Sequence, residues 1–83
     1  MNDKTITSYD TALLGALRCL GYQPEYLQRN AENKERIEFV FKKTVKLEKD
    51  IKAVLEGKKK FRAHDLAIDL HAVRSKIKNF TKQ

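Results

Sequence analysis

The sequence predicts a single small α+β domain in the order α-β-β-α-α, with its helices packed on a two-stranded antiparallel hairpin. Three observations lead there. Leu13, Leu17 and Leu20 recur at helical spacing and stop at Gly21. Ile37, Phe39 and Phe41 alternate at period two, as a half-buried strand requires. After Thr44, two more apolar stripes follow a helical period: Leu47, Ile51, Val54 and Leu55, then Leu66, Leu70, Val73, Ile77 and Phe80.

Size and composition bound the rest. A chain of 83 residues and 9.7 kDa holds one domain, and at that size only about 60% of the unfolded surface is buried. One cysteine excludes an intramolecular disulfide and a multi-cysteine zinc cage. The 41% hydrophobic and 35% charged content, with one proline, fits a helix-rich globular domain and argues against collagenous and largely disordered classes. No apolar run approaches the roughly 18 residues that span a bilayer. Met1-Asn2-Asp3-Lys4 does not read as a signal peptide.

Each element has its own justification. Residues 1–6 are expected to be a flexible N-terminal segment, residues 7–80 the compact domain and residues 81–83 a tail. Thr7-Ser8-Tyr9-Asp10 fits a capping box that opens a helix over residues 8–20, and Gly21 suits its left-handed C′ position. Residues 25–28 form a short strand after Tyr22-Gln23-Pro24. The polar run 30–35 is the hairpin loop, and residues 36–42 are the second strand, with Val40 on the face opposite the phenylalanines. Thr44 caps a helix that ends at Glu56-Gly57. Lys58, Lys59 and Lys60 connect it to a last helix over residues 63–80, with Phe61 turned back to the core. The expected core is Leu13, Leu17, Leu20, Ile37, Phe39, Phe41, Leu47, Ile51, Val54, Leu66, Leu70, Val73 and Ile77.

Several pieces of this order resemble a small family of domains of unknown function in bacteriophage and other prokaryotic mobile genomes. They are Thr7-Ser8-Tyr9-Asp10 before a leucine-rich helix, Leu20-Gly21-Tyr22, Phe39-Val40-Phe41, Leu47-Glu48 with Ile51, Glu56-Gly57, and Leu70 through Arg74 with Ile77. The similarity spans about residues 6–80. The chain departs from the family pattern at Phe61-Arg62-Ala63, where a small polar residue or proline opens the last helix. The resemblance implies a compact α+β fold in a viral or mobile-element setting, and transfers no catalytic or binding residue. With no spanning segment, the expected location is cytoplasmic, in the host cytoplasm if the chain is viral.

Catalytic and metal chemistry find little footing. His64 and His71 lie about 10.5 Å apart along a helix, too far for one ion with bonds of about 2.1 Å unless other ligands join them. Asp65 and Asp69 lie off the histidine stripe. Ser8 and Ser75 sit in no strand-to-helix elbow. Gly15, Gly21 and Gly57 are too scattered for a phosphate loop. Cys19 has no adjacent base and reads as a packing residue. No catalytic residue, metal site or cofactor is expected.

Charge carries the binding expectation. Residues 1–41 hold five basic and six acidic side chains, and residues 42–83 hold thirteen and five, a split of −1 against +8. Lysines on solvated faces also serve solubility, but such asymmetry favours a polyanionic partner. His71, Arg74, Lys78 and Lys82 share one outward flank of the last helix. With Lys58, Lys59 and Lys60 they are the expected nucleic-acid-binding residues, acting through phosphates, with Ser75 and Asn79 in register to reach base edges. Phe39 and Phe41 have the look of an RNA-stacking platform but are expected in the core. The chain thus reads as a non-enzymatic basic binding protein. The alternative is a protein-interaction or oligomerisation module for an acidic partner or a second copy, signalled by Ile68 opposite Leu66.

Overall fold

The computed structural model describes residues 4–82; the expectations for residues 1–3 and for Gln83 lie outside them. In chain order the elements are β1 (Thr5–Ser8), α1 (Thr11–Cys19), β2 (Tyr26–Arg29), β3 (Ile37–Lys42), α2 (Val45–Leu55) and α3 (Ala63–Thr81). β3 lies at the centre of an antiparallel sheet of order β1-β3-β2. Ile6 and Thr7 pair with Phe41 and Val40 on one edge, while Tyr26 and Leu27 pair with Val40 and Phe39 on the other. The expected two-stranded hairpin is therefore corrected to three strands, and the order becomes β-α-β-β-α-α. The reason lies in β3 itself. Buried at Ile37 and from Phe39 to Phe41, it cannot leave its backbone to water and is hydrogen-bonded at each edge, where Thr7 and Tyr26 also flank Val40 on its outer face.

β1 also moves the first helix start. Thr5 and Ile6, expected in a flexible segment, are strand residues, and Thr7 is paired rather than capping. Asp10 is the N-cap, and its carboxylate accepts from the amides of Ala12 at 3.0 Å and Leu13 at 3.3 Å. The stops fall where glycine permits them. Gly21 at φ 93° and Gly57 at φ 73° occupy the left-handed position after α1 and α2. The amides of Gly21 and Tyr22 return to the carbonyls of Arg18 and Leu17, and those of Gly57 and Lys58 to Val54 and Ala53. Both are Schellman closures. Thr44 caps α2 as expected, accepting from the Leu47 amide at 3.0 Å.

All three helices lie on one side of the sheet. Leu13, Leu14 and Leu17 of α1, Leu47 of α2 and Val73 of α3 close over Ile37, Phe39 and Phe41, with Ile6 and Leu27 packed beside them. Phe39 is 2% exposed. Leu14 joins the expected core. Leu20, Ile51, Val54, Leu66, Leu70 and Ile77 are only half-buried, because a layer one helix deep leaves their outer edges in water. Among the described residues, no helix is long and apolar enough to cross a membrane.

Candidate nucleic-acid interface

α3 packs on α1, with Leu70 against Gly15 and Val73 and Ile77 in the shared core, so its opposite side faces solvent. His71, Arg74, Lys78 and Lys82 are all exposed. At 100° per residue they fall within roughly 80° of arc and about 16 Å of axis. No ion pair engages Arg74, Lys78 or Lys82 among the described residues. Lys78 also lies in the last turn, where helix carbonyls favour a cation. Nearby, the Arg29 guanidinium stands 5.8 Å from the Phe80 ring centroid, which brings another cation to this end of α3. Asn79 is exposed next to this flank, whereas Ser75 is half-buried.

The three-lysine connector is elsewhere. Lys58 to Lys60 precede Ala63, so Arg74 lies roughly 16 Å and Lys82 roughly 28 Å further along the helix axis from that start. Lys59 Nζ is 3.6 Å from Asp50 Oδ1 and Lys58 Nζ is 3.5 Å from Glu56 Oε1. Lys60 borders an open hollow of about 460 Å³ with Phe61, Arg62 and Asp65. The seven expected residues therefore form two separate clusters, one on the C-terminal half of α3 and one at its start, with acidic partners at two of the three connector lysines.

Two acidic residues near these clusters, Asp69 and Asp50, are engaged within the fold. Asp69 faces α1, with Oδ1 at 3.1 Å from Arg18 Nε and Oδ2 accepting from the Cys19 thiol at 3.0 Å. Burial first, and then the Asp69 carboxylate, push the Cys19 thiol up to about 11, which makes it a poor nucleophile. Asp50 accepts from the Tyr22 hydroxyl, and that bond, followed by Lys59 and Lys46, holds its carboxyl below the usual range. The described residues contain no group of three or more His, Cys, Asp or Glu side chains that could hold a metal.

The sheet contributes a second exposed surface, not anticipated from the sequence. Register places Thr5, Thr7, Tyr26, Gln28, Glu38, Val40 and Lys42 on the face away from the helices. Phe39 and Phe41 point inward, as expected, and the aromatic side chain on the outer face is Tyr26. Glu38 accepts from Gln28 Nε2 at 2.8 Å and Asn30 Nδ2 at 2.7 Å, and these bonds lower its carboxyl from the ordinary value. Just beyond β1, Tyr9 carries the Arg36 guanidinium 4.1 Å from its ring centroid. The alternation of Tyr26 with Leu27 was the signal that could have revealed this face.

No family model, curated protein or solved structure matches this chain.

Proposed function

We propose that the protein is a non-enzymatic binding protein that contacts nucleic acid through phosphates, with the outward flank of α3 as its principal surface. The supporting observation is the cluster of Arg74, Lys78 and Lys82, exposed and without ion pairs among the described residues, on a chain of net charge +7. Cations left free by the fold can neutralise phosphates and release counterions, a gain that needs no base contact. His71 extends the same line. The connector lysines add longer-range attraction, with Lys58 and Lys59 shared with Glu56 and Asp50. A phage or mobile-element origin and a cytoplasmic setting belong to this proposal and rest on the sequence alone. Fluorescence anisotropy with duplex and single-stranded oligonucleotides at two salt concentrations tests it. Binding that weakens steeply with salt is expected, and no binding at low salt overturns it.

A second reading, self-association or docking of an acidic protein, has its own observation. Leu55 and Ile68 are 67% and 54% exposed. Between them Phe61 borders two open hollows, one of about 340 Å³ lined largely by apolar residues including Leu13, Val54 and Leu66. Light scattering separates the readings, because a mass of 9.7 kDa independent of concentration counts against self-association.

A further inference from the structure

The outer face of the sheet has no helix packed on it among the described residues, yet its composition is not that of an idle surface. Tyr9 and Tyr26 are 53% and 51% exposed. Tyr26 pairs with Val40, which pairs in turn with Thr7, so two strand spacings of about 4.8 Å separate Tyr26 from the β1 edge that leads to Tyr9. Val40, the aliphatic side chain between them, is 1% exposed. The surface therefore presents aromatic rings and hydrogen-bonding groups but no open aliphatic area for a protein partner to bury. Its cations are Arg36, stacked on Tyr9, and Lys42, exposed at the far end of β3. Of the strand residues that register places on this face, the carboxylate is Glu38, with both oxygens occupied by Gln28 and Asn30; at the Lys42 end, Glu25 and Glu48 border the same hollow as Thr5, Lys42 and Lys43.

We infer that this sheet face binds a single-stranded nucleic acid, with bases stacked on Tyr26 and on the face of Tyr9 opposite Arg36, and phosphates drawn to Arg36 and Lys42. The inference rests on the reading of the protein as a nucleic-acid binder, and adds a second surface and a substrate class to it. Rings exposed on an open sheet accept unstacked bases of any sequence. A duplex keeps its bases stacked inside and offers no such face to them. The charge is compatible as well, since the strand carboxylate on this face, Glu38, has its hydrogen bonds satisfied within the fold, and Lys42 and Lys43 stand beside Glu25 and Glu48 at its edge.

The test compares Tyr9→Ala, Tyr26→Ala and Tyr26→Phe with Arg74→Ala/Lys78→Ala on labelled single-stranded and hairpin-duplex oligonucleotides. Each tyrosine-to-alanine change is expected to weaken single-strand binding about tenfold and duplex binding by less than about twofold, while Tyr26→Phe keeps the affinity. Circular dichroism melts confirm that each variant folds. The chain has no tryptophan, so quenching of tyrosine emission in the unmodified protein by a thymidine oligomer is a further expected result. If the tyrosine variants bind single strands like the parent while the Arg74/Lys78 pair still weakens binding, this inference falls and the phosphate reading stands. If no oligonucleotide binds the parent, both fall. A dimer lost on Tyr26→Ala assigns the face to a second copy and overturns the inference.

Discussion

The Cys19 thiol donates to Asp69 Oδ2 at 3.0 Å, across fifty residues of sequence. With Arg18 on the other oxygen, one carboxylate of α3 gathers both the thiol and the cation that end α1. It ties the end of α1 to α3 and, after burial, helps to keep the sulfur protonated well above neutral pH.

Asp69→Ala should therefore act on stability and on the thiol together. Loss of a half-buried charged hydrogen bond and its ion pair should cost about 1–2 kcal/mol, read by urea denaturation. The thiol loses the carboxylate that helps to raise its pKa but keeps its burial. Alkylation by a small reagent at pH 8 should accelerate about three- to tenfold while the fold persists. An unchanged rate would show that burial alone governs the sulfur.

Gly15→Ala sets two effects against each other. Alanine gains up to about 1 kcal/mol of helix propensity, but its Cβ would stand 2.8 Å from Leu70 Cδ2 and 3.0 Å from Cγ. Because the Leu70 backbone is also close, at 3.6 Å to Cα, the side chain has little room to withdraw. Overpacking of this kind costs about 1–3 kcal/mol, so the net change should be destabilising by about 1 kcal/mol. Combining it with Leu70→Ala should give a loss well below the sum of the two single losses. Additive losses would place the crowding elsewhere.

Tyr22→Phe should flatten the stability profile at both ends of the pH range. In acid, Asp50 has a folded pKa below its unfolded value. Its contribution is present above the unfolded value and is lost as pH falls through the folded one. In alkali, burial followed by the Asp50 carboxylate pushes the Tyr22 hydroxyl up to about 12 from 10.0, so the unfolded chain releases that proton first and stability falls as pH rises past 10. Phenylalanine removes the alkaline contribution and the main cause of the acid one. Thermal melts from pH 3 to 11 should show both limbs shallower; unchanged limbs would mean that the contact does not persist in solution.

Replacing Arg74 and Lys78 with alanine should weaken binding to all nucleic-acid sequences alike and make the salt slope shallower by up to about two units. Both side chains are exposed, so stability should change by less than about 0.5 kcal/mol for each. Lys49→Ala/Lys52→Ala removes the same charge from exposed positions on α2. Equal effects from the two pairs would make net charge, rather than a located surface, the determinant.

The end of α1 and both ends of α2 were legible in the sequence because glycine and threonine punctuate them, and α3 because its apolar spacing is helical. Gly21, Gly57 and Thr44 stand at the expected termini. β1 was hidden by ambiguity at Thr7-Ser8-Tyr9-Asp10, where threonine and aspartate both cap helices well. The run Thr5-Ile6-Thr7 is β-branched throughout and favours a strand. Val40 was a weaker clue: an apolar residue on the outer face is best shielded when strands flank it on both sides, as Thr7 and Tyr26 do. The flank of α3 followed from helical periodicity, whereas the separation of the connector lysines depends on tertiary placement, which periodicity does not encode.

The central position of β3 also makes one of its two pairings cheaper to close than the other. β2 and β3 are joined by a short turn anchored by Asn30, whose amide bonds the Arg36 carbonyl and whose side chain accepts from the Glu32 and Asn33 amides. Their pairing closes a loop of only a few residues. The contacts Thr5↔Lys42 and Ser8↔Phe39 instead close loops of roughly thirty to forty residues. During synthesis β1 leaves the ribosome well before the strand it must join, and the hairpin offers its free edge only once β3 has emerged. Until then Ile6 and the edge of β3 remain uncovered, which makes this late docking step the window in which a nascent chain is most open to pairing with a neighbour.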